Sequence, residues 1–196
     1  MKKANWLLAA LIAFPVASFG AGTRMEACPT NGVPTAQSYT WNFSGEATNL
    51  LSNVRNDAMK IRTHSEKLDS FERQPDLINW QVDASQLAQI KSEVNDMSAK
   101  LCRLEAIRGS VMPWQKRAID RAAADDRLLA LNTGDAIHFL DGHEAYPWSE
   151  AYMQNTENLS HQSKDLVNFV GDAEHLAKLR QEEMQARRQL NNGQAS

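Results

Sequence analysis

The sequence is poor in the residues that mark the commonest kinds of catalytic site and scaffold. It contains two cysteines and five histidines among 196 residues, too few and too scattered for a zinc ribbon or a disulfide-rich scaffold. Lysine and arginine number 21 against 24 acidic residues, so there is no basic footprint for nucleic acid. The chain also lacks a G-x-S-x-G elbow, a C-x-x-C pair and a glycine-rich phosphate loop. These absences favour a non-enzymatic protein without a cofactor.

A single acidic pair lies beside a predicted helical core stripe, Asp125 and Asp126. Adjacent residues of a helix point about 100° apart, so these carboxylates are not expected to share a proton as a catalytic dyad. The composition, with 42% hydrophobic and 23% charged residues, is that of an ordinary globular chain.

The first twenty residues have the three parts of a secretory signal peptide. Lys2 and Lys3 give a positive start, an apolar run follows from Trp6 to Phe14, and small residues surround Gly20. The run is too short to cross a bilayer, and no later segment has eighteen consecutive apolar residues. We therefore predict cleavage near Gly20 and an exported mature chain in the periplasm or outside the cell, with no membrane anchor after cleavage. An uncleaved anchor is the alternative.

The remaining chain is divided into an irregular arm at 21–38, a helical region at 39–190 and a flexible tail at 191–196. Within the helical region, apolar and small residues recur at alternating steps of four and three, which places them on one face of each helix. The predicted helices cover 39–71, 77–108, 113–141 and 147–190.

These helices of about 30 residues would each be about 45 Å long, and the connections between them are short. Short connections favour antiparallel neighbours, so the predicted fold is all-α, an antiparallel up-down four-helix bundle. Asp126 and Thr133 interrupt the apolar pattern of the third helix. Whether this helix breaks near Gly134 is left open by the pattern.

Four tryptophans each lie near the start of one predicted helix: Trp41, Trp80, Trp114 and Trp148. In an antiparallel bundle this places two at each end, Trp41 with Trp114 and Trp80 with Trp148. They are interpreted either as caps on a narrow core, because tryptophan buries a large area, or as aromatic ends that bind a ligand or partner.

The two cysteines are predicted to form a disulfide, because an exported chain folds where such bonds form and persist. Cys28 lies in the irregular arm and Cys102 on the second predicted helix. The bond would fasten the arm to the bundle.

The turn after the third helix carries His138, Asp141, His143 and Glu144. Two imidazoles and two carboxylates are suitable ligands for zinc or a similar divalent ion. A metal- or cofactor-binding bundle that uses this turn is the alternative to our main functional prediction.

That main prediction is an exported, non-enzymatic helical bundle that binds a ligand or protein partner. The fourth helix is the longest and ends in a charged stretch from Lys178 to Arg188. A protruding helix of this kind is a candidate surface for a protein partner or for self-association, and the tryptophan-marked ends are the other candidates.

Overall fold

The computed structural model describes residues 42–72, 80–143 and 149–193, and these ranges are almost entirely helical. Helix α1 covers Ser44–Glu72, α2 Trp80–Ile107, α3 Pro113–Gly142 and α4 Glu150–Gly193, and a 3-10 turn at Arg108–Ser110 follows α2 directly. The described ranges contain no strand and no helix long and apolar enough to cross a membrane. The prediction of an all-helical bundle is confirmed, whereas the predicted signal peptide and arm at 1–38 lie outside the described residues.

The helices are arranged in a ring in which each packs against the helices before and after it, and α4 packs against α1. The contacts join the start of one helix to the end of its neighbour. Arg103, late in α2, donates to Glu46 near the start of α1 with an N–O distance of 2.7 Å. Phe139, late in α3, lies against Tyr152 near the start of α4, with ring centroids 5.8 Å apart. Consecutive helices therefore run in opposite directions.

The predicted apolar stripes form the core of this ring. On α1 the buried stripe is Ala47, Leu51, Val54, Ala58, Ile61, Ser65 and Leu68; on α2 it is Leu87, Ile90, Val94, Met97, Leu101 and Leu104; on α4 it is Tyr152, Thr156, Leu159, Ser163, Leu166 and Val170. The serine and threonine members of the stripes donate hydrogen bonds to carbonyls of their own helix. The Ser65 hydroxyl, for example, donates to the carbonyl of Ile61 at 2.8 Å. Small stripe residues let the helices approach closely, so the core is narrow.

Helix α3 continues through Gly134 without a break. Asp126 and Thr133, which the sequence pattern treats as interruptions, are buried on the same face as Leu129 and Leu140. A buried polar group needs a hydrogen-bond partner, and the Thr133 hydroxyl has one because it donates to the carbonyl of Leu129 at 2.6 Å. A hydroxyl bonded to its own helix costs little in a core, since no polar group is left unpaired.

Helix α4 outruns its neighbours at one end of the bundle. It has 44 residues, about 66 Å at 1.5 Å per residue, whereas α1 has 29. The α4 extension, defined here as residues 176–191, has every side chain exposed except that of Ala177. The helix ends at Gly193 rather than near 190, and residues 194–196 of the predicted tail lie outside the described residues.

Candidate functional site

The described tryptophans, Trp80 and Trp114, lie at opposite ends of the bundle because they begin the antiparallel helices α2 and α3. Trp80 is 36% exposed and lines a groove, while Trp114 is partly buried against the core. Trp41 and Trp148 lie outside the described residues, so the two predicted tryptophan pairs stay predictions. One described tryptophan thus resembles a surface residue and the other a cap.

The groove beside Trp80 runs between α2 and α3 and has a volume of about 380 Å³. Its floor is formed by Leu87 and Leu140, and the small side chains of Ala84 and Ala88 leave the space open above them. The groove is mostly apolar. We refer to it as the α2–α3 groove.

The opposite end of the bundle has a larger cleft, of about 1060 Å³, between the α4 extension and the starts of α1 and α3. Its cationic lining residues are Arg117, Lys178, Arg180 and Arg188, and Glu174 is its one acidic lining residue. Burial raises the pKa of Glu174, against the opposing effect of Arg55. We refer to this feature as the basic cleft.

Gln115 joins the two helices that form the floor of the basic cleft. Its side-chain amide donates to the carbonyl of Ser44 at 2.7 Å and to the hydroxyl of Thr48 at 3.0 Å. Its side-chain oxygen accepts from the backbone N–H of Met112 at 2.9 Å. A buried side chain with all of these bonds fixes the start of α3 against the start of α1.

The predicted metal ligands lie at the end of α3, on the same end of the bundle as Trp80. His138, Asp141 and His143 line a cleft of about 520 Å³, together with Asp135. The His143 ring stacks on Phe139 with centroids 4.2 Å apart, and its Nδ1 lies 2.9 Å from the Phe139 carbonyl oxygen. Three of the four predicted ligands therefore share one cleft, and Glu144 lies outside the described residues.

Within the described ranges, no three histidine, cysteine, aspartate or glutamate side chains are grouped closely enough to hold a metal ion. The metal site at this turn consequently stays a prediction.

Cys102 is half-buried near the end of α2, next to the Arg103 that pairs with Glu46 at the start of α1. This places Cys102 near the point where the described chain begins. No described cysteine is a free thiol. Its predicted partner Cys28 lies outside the described residues, so the disulfide stays a prediction.

Two of the buried carboxylates, Asp126 and Asp83, have raised pKa values. Asp126 is fully buried and accepts from the Ser98 hydroxyl at 2.7 Å, while its other oxygen, Oδ1, has no hydrogen-bond partner in the described part of the chain. Burial raises the pKa of Asp126 to about 6, although Ser98 and Arg127 oppose this shift. Its neighbour Asp125 instead pairs with Arg121 at 2.8 Å, so the adjacent carboxylates have separate partners.

Asp83 is the second such carboxylate and lies at the start of α2, 2% exposed. Burial raises its pKa to about 6, and a hydrogen bond with Tyr152 of α4 acts in the opposite direction. Strongly shifted acids often mark functional sites, but Asp83 and Asp126 lie on different levels of the core. They are separate polar contacts within the core and do not form a catalytic pair.

No family model, no curated protein and no solved structure matches this chain. We therefore infer the function from the chain's own surfaces. The features that could engage another molecule are the α2–α3 groove, the basic cleft and the α4 extension.

Proposed function

We propose that the mature chain is an exported helical-bundle protein that acts by binding a protein partner rather than by catalysis. The observation that carries this proposal is the α4 extension, a helix of about four turns whose side chains are all exposed except that of Ala177. It exposes Leu176, Leu179 and Leu190. Helices in proteins gain most of their stability from packing of an apolar face, so a partner that covers these leucines would stabilise the extension.

The proposed contact surfaces are this extension and the two tryptophan-marked ends of the bundle. Trp80 borders an apolar groove and Trp114 borders the basic cleft. Aromatic side chains contribute strongly to protein interfaces because they bury a large area with few rotatable bonds. The export part of the proposal is supported by the signal-like pattern of residues 1–20.

The proposal includes the disulfide between Cys28 and Cys102. Such a bond would close a loop of about 74 residues and stabilise the fold by about 4 kcal/mol in the chain-entropy model. The denatured mature chain should gain the mass of one hydrogen per cysteine when it is reduced. An unchanged mass would remove the disulfide from the account.

The experiment that tests the proposed function is site-specific photo-crosslinking in the exporting cell. A photoreactive residue is placed at Leu179 on the α4 extension, or at Met59 on the outer side of α1; each of these side chains is 47% exposed, so the two positions are matched. We expect a discrete cross-linked species, identified by mass spectrometry, from position 179 only. Equal cross-linking at both positions, or none at either, would contradict the assignment of this surface.

The metal-binding alternative is favoured by one observation, the presence of His138, Asp141 and His143 in a single cleft. A metal that binds the folded chain must raise its melting temperature. If Zn²⁺, Cu²⁺ or Fe²⁺ raises the melting temperature of the full mature chain, and His138→Ala removes the increase, this alternative is supported. An unchanged melting temperature with all three ions eliminates it.

A further inference from the structure

The two ends of the bundle have opposite charge. The end that carries the α4 extension has nine lysine and arginine residues against six acidic residues, within 42–50, 100–120 and 174–191. The other end has two against eight, within 66–72, 80–91, 132–143 and 149–160. Of those eight acids, Asp83 is buried. The described residues at the end with the extension therefore have an excess of cations, and those at the end with Trp80 have an excess of acids.

The α4 extension has an exposed apolar side that faces away from the basic cleft. At 100° per residue, Leu176, Leu179 and Leu190 lie within about 60° of one another on the helix. None of these three leucines lines the basic cleft, where α4 instead contributes residues such as Met184 and Arg188. The leucines thus form a separate stripe that the chain's own bundle does not cover.

The α2–α3 groove at the other end matches this stripe in length and chemistry. Along α2 it extends from Trp80 to Asn95, about 22 Å at 1.5 Å per residue, and the stripe from Leu176 to Leu190 is about 21 Å long. The groove floor is apolar, and its charged lining residues are Asp141 and Lys91. An amphipathic helix that places apolar side chains in such a groove is a recurring mode of recognition.

We propose that the α4 extension of one copy docks in the α2–α3 groove of a second copy of this chain. The leucines cover the apolar floor, and Arg187, which lies beside the leucine stripe on the helix, approaches the acidic end. The occupant is a second copy because both complementary surfaces belong to this chain. This inference rests on the proposed function and specifies its partner.

The arrangement has a consequence for assembly. The two surfaces lie at opposite ends of the molecule, so the contact joins unlike surfaces and leaves one extension and one groove unoccupied in every pair. Association therefore continues head to tail beyond the dimer. Salt weakens it, because the charges that steer the two ends together are exposed.

Two variants of exposed residues test this contact. Leu179→Glu disables the extension and leaves the groove intact, whereas Ala88→Arg disables the groove and leaves the extension intact. Met59→Glu is the control, at a side chain as exposed as Leu179. Circular dichroism verifies that each full mature chain remains helical.

Sedimentation velocity at low salt should give a series of species larger than the monomer for the unmodified chain and for Met59→Glu. Each disabling variant alone should sediment as a monomer. Their equimolar mixture should give a dimer and nothing larger, because one intact extension meets one intact groove. This result would also exclude a symmetric dimer of two extensions.

A monomeric unmodified chain at every concentration, or a mixture that stays monomeric, would overturn the head-to-tail contact. If photo-crosslinking at position 179 then still recovers a different protein, the proposed function stands and only the identity of the partner is wrong. If position 179 gives no cross-linked species either, both proposals fall.

Discussion

The Ser98 hydroxyl donates a 2.7 Å hydrogen bond to Asp126 across the interface between α2 and α3. This bond lies in the interior of a narrow core, with Met97 buried beside Ser98 and Leu129 buried one turn beyond Asp126. One hydroxyl does not replace the water that an ionised carboxylate loses on burial. The protonated form is therefore favoured in the folded chain, which has consequences for stability.

We expect the free energy of unfolding to fall as pH rises from 5 to 7.5. The folded-state pKa values of Asp83 and Asp126 are both raised to about 6, above the ordinary value near 4. A carboxyl group whose pKa is raised in the folded state stabilises the fold while it is protonated. This stability is fully present below the pKa of the unfolded state and is lost as pH rises through the pKa of the folded state. The loss between these two pH values should be about 1.4 kcal/mol for each group, which is one pKa unit of the shift, and urea unfolding at the two pH values measures it.

Asp126→Asn should remove about half of this pH dependence, because the amide does not ionise. The control is Asp120→Asn, an exposed carboxylate whose pKa is lowered by its hydrogen bond to Arg108. The stability that Asp120 contributes is lost only as pH falls below the ordinary pKa of an aspartate, which lies below the range from pH 5 to 7.5. A slope that is the same in the unmodified chain and in Asp126→Asn would refute the burial of an ionisable Asp126.

Leu129→Ala should destabilise the chain much more than Leu131→Ala, although both leucines are on α3. Leu129 is fully buried and Leu131 is 59% exposed. Truncating a buried leucine costs about 2–5 kcal/mol, and an exposed substitution usually costs less than about 0.5 kcal/mol. Chemical denaturation of both variants measures the difference, and equal losses would mean that the core-facing side of α3 is assigned wrongly.

Gln115→Ala should cost roughly 1–3 kcal/mol, because it leaves the carbonyl of Ser44 and the backbone N–H of Met112 without this partner. Gln154→Ala is the matched control, since the exposed side chain of Gln154 bonds to Asn158 within its own helix. Thermal unfolding should separate the two variants. Should both melt at the temperature of the unmodified chain, Gln115 would not hold α1 and α3 together.

Removing residues 178–196 should leave the melting temperature of the bundle nearly unchanged. Every side chain from Lys178 to Asn191 is exposed, so little buried apolar area is lost. Hydrogen exchange should already be fast in this segment, because local stability follows burial. A large fall in melting temperature would show that the extension packs on the bundle instead of projecting from it.

The sequence predicts the fold well because a helix repeats every 3.6 residues. Residues spaced three and four apart therefore share one face, and the apolar ones among them mark the face that is buried. The small polar residues Ser65 and Ser163 follow the same spacing and are fully buried. Asp126 and Thr133 interrupt the apolar pattern because spacing and residue type carry no information about hydrogen-bond partners. Their burial depends on Ser98 on a neighbouring helix and on the carbonyl of Leu129.

The candidate surfaces were predictable only in part. The length of α4 follows from its pattern, so its projection could be anticipated. The α2–α3 groove could not, because it depends on how Ala84 and Ala88 of one helix face Ile137 of another. Charge asymmetry between the ends likewise appears only after the antiparallel order brings distant segments together.

The measurement that tests the central claim most directly is native mass spectrometry of the mature chain recovered from its own exporting cell. The full chain is compared with the chain that lacks residues 178–196. We expect the full chain to carry the mass of an additional polypeptide and the shortened chain to appear alone. Bare monomers in both samples, or the same added mass in both, would contradict a function based on the α4 extension.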